Sequence, residues 1–453
     1  MPPPVLCDLL TGQSIGVQQR LKQYKDLVTA RQCVVLSADP AEDLSEWIKQ
    51  IPENTVVLLS SNTVSGVTPS SSASPVTTKT PVEYLIDNEI VLKDGQDLIG
   101  AADDGFEIVI RLNAGYSGFY MVKVGSFYSF QFGKARDNHI RHVTFQPIGP
   151  NNAKTLDSIV FAECYNRKLI VENNRFNISV YRAGLILDCK QSLDASKNVR
   201  RQGPGLRFAS NKIIGKIIKT WYSDYISKAG IIINLDTIVN QSQRIAVIEN
   251  SFQGDMAKAG GFTLGFGSNM DIFRNRVDIN NLGKTFEEVL SGREAVKEGF
   301  SLIGHTSGSE EPPLFNLAGN RISSKNIAIG IEKQIKLALA CNHLQAVNPW
   351  QQPQRQFSLK AVNPLPLAKE CERLAPSSLT LCQIANTWTS ITGSTTHPLS
   401  GLNNFEGQFL FDTEICPATV PSAPTEAPTS SAGITAVTSA LGIIITLSIL
   451  LAL

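Results

Sequence analysis

Apolar positions along the middle of this chain come in short period-two runs, and six of those runs close on one string, apolar-x-x-Asn-x-apolar. It occurs as VENNRF (Asn174), FASNKI (Asn211), VIENSF (Asn250), IFRNRV (Asn275), LAGNRI (Asn320) and LACNHL (Asn342), at spacings of 37, 39, 25, 45 and 22 residues. The two short spacings set a coil of 22 to 25 residues; the longer ones are a coil carrying a large loop, or two coils. A second run, often opened by glycine, precedes five of the six: AGLILD (183–188), AGIIINLD (229–236), GGFTLGF (260–266), EGFSLIGH (298–305) and NIAIGIE (326–332). Each repeat thus holds two β-rich segments and a turn, with β-branched and alternating apolar residues that bury their inner faces only by stacking on the next repeat.

Stacked coils lie about 4.8 Å apart, the spacing of neighbouring strands, which puts equivalent asparagines one above another. An amide side chain carries both an acceptor and two donors, so such a row satisfies itself and the turn backbone together. The expected fold is therefore all-β: a right-handed single-stranded parallel β-helix, a solenoid with an N-terminal capping helix and a C-terminal hydrophobic anchor. Residues 1–50 are read as the helical cap, with Asp39 as helix N-cap and Pro40 in the first turn of SADPAEDLSEWIKQ. Residues 51–415 form the β-helix, interrupted by a Ser/Thr-rich insertion at 60–81. A Pro/Thr/Ser-rich stalk follows at 416–432, then an uncharged tail at 433–453. Twenty-one residues at about 1.5 Å each reach roughly 30 Å, so the tail reads as a transmembrane helix or a cleavable lipid-anchor signal. The start lacks a charged segment followed by an apolar one and reads as no secretory signal. The expected location is the cell surface or another extracytoplasmic site, held at the membrane by the tail.

The 41 basic and 40 acidic residues nearly cancel, which gives no footprint for nucleic acid. Eight scattered cysteines make no disulfide framework. Cys164, Cys189 and Cys341 fall in strand-like runs as core residues, and Cys371, Cys382 and Cys416 lie in a polar region where an oxidising compartment would bridge them.

YLIDNEIVLKDGQDLIG, followed by the glycine-led and Asn-bearing rungs, resembles the start and body of the pectin-lyase-like superfamily over residues 50–345. The resemblance implies an elongated three-faced solenoid that handles polysaccharide along one face. Hydrolytic members resemble one another in a carboxylate cluster on successive coils. Here Gly304-His305-Thr306 and Arg321-Ile322-Ser323 are weakly similar to hydrolase elements, but no paired aspartates sit in the central coils. A lyase needs a basic residue to take the proton beside a uronate carboxyl, and often calcium held by carboxylates. Arg274 and Arg276 with Asp271 and Asp278, and His305 near them, are the candidate catalytic set. Calcium is the cofactor if the chain is a lyase; no other cofactor is implied. Long polar excursions at 189–205, 214–228, 280–298 and 304–313 supply a binding side, where Trp221, Tyr222 and Tyr225 are candidate sugar-stacking residues. Three readings stay open: a membrane-anchored carbohydrate-binding surface protein, a pectate- or alginate-type polysaccharide lyase, and an adhesive solenoid that recognises another protein.

Overall fold

Between the first and second strand of each coil the chain turns on two residues, the first in the left-handed region and the second a ladder asparagine. In the computed structural model Asn173, Ser210, Glu249, Arg274 and Gly319 have φ between 54° and 64° and stand just before Asn174, Asn211, Asn250, Asn275 and Asn320. His142, φ 56°, holds the same place one coil earlier, before Val143. A left-handed residue other than glycine costs about 1–2 kcal/mol, and the asparagine that follows offsets it. Each ladder backbone N–H, from Val143 to Asn320, donates to the Oδ1 of the next asparagine at 2.9 to 3.0 Å. Each Nδ2 donates back to a carbonyl of the preceding first strand at 2.7 to 2.9 Å. The six asparagines are at most 6% exposed, so the expected ladder is present and its amides are satisfied internally.

The structure describes residues 2–63, 79–125, 136–147, 156–163, 168–188, 205–217, 229–235, 245–279, 297–304, 312–325, 327–332, 335–340, 342–346, 358–361, 399–400 and 404–406. One coil shows the plan. Strand Asn269–Phe273 lies on a first face, Arg276–Ile279 on a second and Glu298–Gly304 on a third. Strands of the first face pair in parallel from Gln32–Ala38 to Asn404–Glu406, with Val5–Leu6 added antiparallel at the edge, in one 13-stranded sheet. The second and third faces are each parallel as well; strand Arg175–Asp188 turns the corner between them and joins them in one hydrogen-bonded set of 17 strands. The result is a parallel, three-faced β-solenoid. Inward side chains such as Leu206, Phe208, Ile213, Ile231 and Ile233 form a continuous core, and Phe145, Phe176 and Phe208 stack through successive coils at 5.2 and 5.8 Å between ring centroids.

Helix Leu44–Gln50 places Leu44 and Ile48 in that core, closing the first coils. Its N-cap is Asp43 rather than the expected Asp39: Asp39 closes a separate turn, its carboxylate accepting from Ala41 N and its carbonyl from Glu42 N, while the Asp43 carboxylate accepts from Ser45 N and Asp87 N. At the other end Lys93 Nζ donates to the carbonyls of Lys49 and Ile51, both at 2.7 Å, occupying acceptors that a helix end leaves open. Helices Ile15–Gln23 and Lys25–Val28 lie outside the first face, where Val17 and Val28 pack on Val56, Leu58, Ile99 and Ala101. At Gly16 an added Cβ would stand 2.3 Å from the Ala102 carbonyl oxygen, so this approach requires glycine. A Cys7–Cys33 disulfide ties the segment down. Beside it the fully buried Asp97 carboxylate takes Arg31 at 2.6 Å and His139 Nδ1 at 2.8 Å.

The transmembrane-helix expectation is corrected. Among the described residues no helix is long and apolar enough to cross a membrane. The longest, Ile15–Gln23, has nine residues, which at about 1.5 Å each fall well short of a hydrocarbon core of roughly 30 Å. The insertion from 64 to 78, the stalk, the tail and the six cysteines assigned from the sequence lie outside the described residues.

Replacing Asn250 by Ala strands Asn211 N–H and Nδ2 and the Phe208 carbonyl in a buried turn. Urea unfolding is expected to show a loss of about 3 kcal/mol. A loss below about 0.5 kcal/mol, the size of an ordinary surface substitution, would remove the ladder from the stability account.

Candidate functional site

The residue after a ladder asparagine begins the second face. Successive coils place Arg175, Lys212, Ser251, Arg276, Arg321 and His343 in register. Arg175, Lys212, Arg276 and Arg321 are exposed, whereas the next residues, Phe176, Ile213, Val277 and Ile322, are buried in the core. Two positions on, a parallel column reads Asn177, Ile214, Gln253, Asp278, Ser323 and Gln345. The second face therefore carries a stripe of cations beside a stripe rich in amides and hydroxyls, one residue of each per rung of about 4.8 Å.

No described residue neutralises the cation stripe. Lys212, Arg276 and Arg321 form no ion pair with any described residue, although like charges directly opposite on neighbouring strands are destabilising. Cations on the first face and in the turn row are treated differently. Glu172 holds Arg141 at 3.0 Å and Arg207 at 2.5 Å, and Glu249 holds Arg274 at 2.7 Å. Among the described residues the second face therefore carries cations without the acidic partners found on the first.

The candidate catalytic residues separate on this frame. Arg276 and Asp278 share the second face, two residues apart on one strand. Arg274 is the left-handed residue of the turn and is held by Glu249. Asp271 belongs to the first face, is 3% exposed and accepts from Asn316 Nδ2 at 3.0 Å. His305, Trp221, Tyr222 and Tyr225 lie outside the described residues. Among the described residues no group of three or more His, Cys, Asp or Glu is placed to hold a metal ion, so the calcium expectation has no ligand set there.

Arg175 and Lys212 were missed by reading residues singly, and Arg321 was noted only within a weak hydrolase-like element. Their signal is in the same six strings, where the position after Asn is Arg, Lys, Ser, Arg, Arg and His in turn.

At its N-terminal end the stripe meets a cleft of about 290 Å³ lined by Arg20, Lys79, Glu107, His142, Thr144 and Arg175, among others. His142 is driven down to about 3, first by burial and then by the positive fields of Arg20, Arg141 and Lys79. The ring is therefore neutral, and its Nε2 is hydrogen-bonded to the Tyr24 hydroxyl. Burial raises the Tyr24 phenol, so it keeps its proton. Arg141 lies over the Tyr24 ring, 4.3 Å from its centroid.

No family model matches the chain, and no curated protein matches it.

The His142 shift has a sign that can be tested. Its folded value lies below the ordinary 6.5, so between about 3 and 6.5 the unfolded chain binds more protons and acid favours unfolding. Its stabilising contribution is complete above 6.5 and is lost as the pH falls towards 3. Thermal unfolding at pH 7.5 and 4.5 is expected to show a smaller acid loss for His142→Gln than for the parent. Equal losses would show that His142 is not held neutral.

Proposed function

We propose that the chain is a carbohydrate-associated surface protein that binds an acidic polysaccharide along the second face of its solenoid. The observation that carries this is the cation column Arg175, Lys212, Arg276 and Arg321, whose members have no acidic partner among the described residues. A polymer with one carboxylate or sulfate per sugar meets a cation on each of these coils, with Ser251 on the coil between Lys212 and Arg276. Guanidinium groups suit such anions because they present two parallel donors, and the neighbouring Asn177, Gln253 and Ser323 offer hydrogen bonds to sugar hydroxyls.

The finer reading is a right-handed solenoid of the pectin-lyase-like kind. The right hand is favoured because crossovers between parallel strands of one sheet take it in nearly all cases, and the likeness of the first rungs and the Asn row favours the superfamily. An extracytoplasmic location is proposed with it, supported by the Cys7–Cys33 bridge, since such bonds persist in oxidising compartments. The lyase alternative draws on the juxtaposition of Arg276 and Asp278 on one strand.

The test is binding of the full chain to polygalacturonate and to neutral dextran. Arg276→Ala/Arg321→Ala is expected to weaken polygalacturonate binding by about tenfold or more, from the loss of two charge-assisted contacts, and to reduce its salt dependence. Dextran binding is expected to be weak and unchanged. Equal affinity of parent and variant for polygalacturonate would contradict the reading. The same incubation, followed for unsaturated products, decides the lyase alternative.

A further inference from the structure

The cleft at the end of the cation column has features that the column does not need. It lies at the turn between the first and second faces, beside helix Ile15–Gln23, and three of its lining residues, Arg20, Lys79 and Arg175, are cations against the single carboxylate of Glu107. None of the three forms an ion pair with a described residue. Arg20 Nε donates to the Gly100 carbonyl at 3.1 Å and Nη1 to Gln23 Oε1 at 2.7 Å, which fixes the guanidinium at the cleft and leaves Nη2 unassigned. Arg175 Nε is fixed by Asn177 Oδ1 at 2.9 Å. Glu107 Oε2 accepts from the Thr144 hydroxyl at 3.3 Å. Fixed cations at a partly enclosed, low-dielectric cavity focus a positive field into it.

We propose that this cleft is a second binding site, adjoining the polymer-binding face and sharing Arg175 with its end, for a small organic anion of about the size of one sugar, carrying a carboxylate or a phosphate. Volume sets the size: about 290 Å³ is more than a bare inorganic anion fills and is at the lower bound of small-ligand pockets. Arg20, Lys79 and Arg175 supply the charge recognition. Thr144, Asn173 and Ser210, which also line the cleft, supply the polar groups that hydroxyls require.

The depressed His142 agrees with this placement. The charged groups facing it are Arg20 from the outer helix, Lys79 and Glu107 from the second face, and Arg141 with its partner Glu172 from the first, with the Tyr24 hydroxyl on its ring. An anion in the cleft offsets the cations and moves the imidazole back towards its ordinary value.

The experiment is NMR of the full chain carrying 13C-labelled histidine rings, five in all, with the His142 signal assigned by His142→Gln. The probes are sodium glucuronate, glucose 6-phosphate, inorganic phosphate and glucose. Glucuronate or glucose 6-phosphate, or both, is expected to shift the His142 signal saturably and raise its titration midpoint. The tighter of the two identifies carboxylate or phosphate as the preferred group. Glucose is expected to leave the signal unmoved, and inorganic phosphate to bind more weakly than the better sugar. Lys79 is exposed, so Lys79→Gln is expected to fold normally and to weaken that binding by about threefold, the worth of one solvent-accessible charge contact. Silence at His142 with both sugar anions overturns the proposal, as does glucose or inorganic phosphate binding as tightly as they do, or an unchanged affinity in Lys79→Gln. The outcome is independent of the polymer-binding reading, because Arg276→Ala/Arg321→Ala leaves the cleft intact.

Discussion

A turn that sets a side-chain-bearing residue at positive φ in coil after coil persists only if the next residue returns what the strain costs, and the stacked asparagines do so. Their Oδ1 atoms accept from the turn of the preceding coil while their Nδ2 atoms reach back to its first strand. The bond runs from coil to coil, so it fixes register as well as conformation. A slip by one residue would remove the acceptor and turn every apolar side chain of the slipped strand outward. Gly319 and, to a lesser degree, Asn173 are residues at home in that conformation; at Ser210, Glu249 and Arg274 the asparagine holds the geometry.

Register turns sequence into columns, and columns carry the chemistry. Because the position after each asparagine starts the second face, one choice of residue type there becomes a stripe along the solenoid. On the first face the same stacking aligns Arg141 with Glu172, whose carboxylate also takes Arg207, so both cations have an acidic partner. On the second face Arg276 stacks on Arg321 without an acid between them. The fold tolerates this repulsion because the side chains are long, exposed and surrounded by water, where two charges at such distances cost each other only about 1 kcal/mol. On the proposed reading, an acidic polysaccharide along this face would convert that small cost into binding.

The parallel solenoid was legible in the chain because its two signals are local: Asn174 to Asn342 recur in one short context, and glycine-led apolar runs such as GGFTLGF accompany them. What was not legible depends on contacts distant in sequence. Asp39 and Asp43 are equally good helix caps locally, but Asp39 closes a separate turn and Asp43 takes the cap together with a bond from the distant Asp87 N. Cys7 and Cys33 become neighbours only when the outer segment folds back on the first face. Arg276 was singled out with Arg274 and Asp271 by closeness in sequence, yet the solenoid distributes these three among the second face, the turn and the first face. The true neighbours of Arg276 are Ser251 and Arg321, residues a full coil away.

The most direct test of the account is hydrogen exchange at the turn amides of Val143, Asn174, Asn211, Asn250, Asn275 and Asn320. Turn N–H groups at the surface ordinarily exchange fast, through local opening. Here each is bonded to the asparagine of the next coil, so the six are expected to exchange only through unfolding of the stacked coils, as slowly as the core strands beside them. Fast exchange at these six amides, with the neighbouring strands protected, would show that the asparagines do not bind coil to coil, and the columns built on that register would lose their foundation.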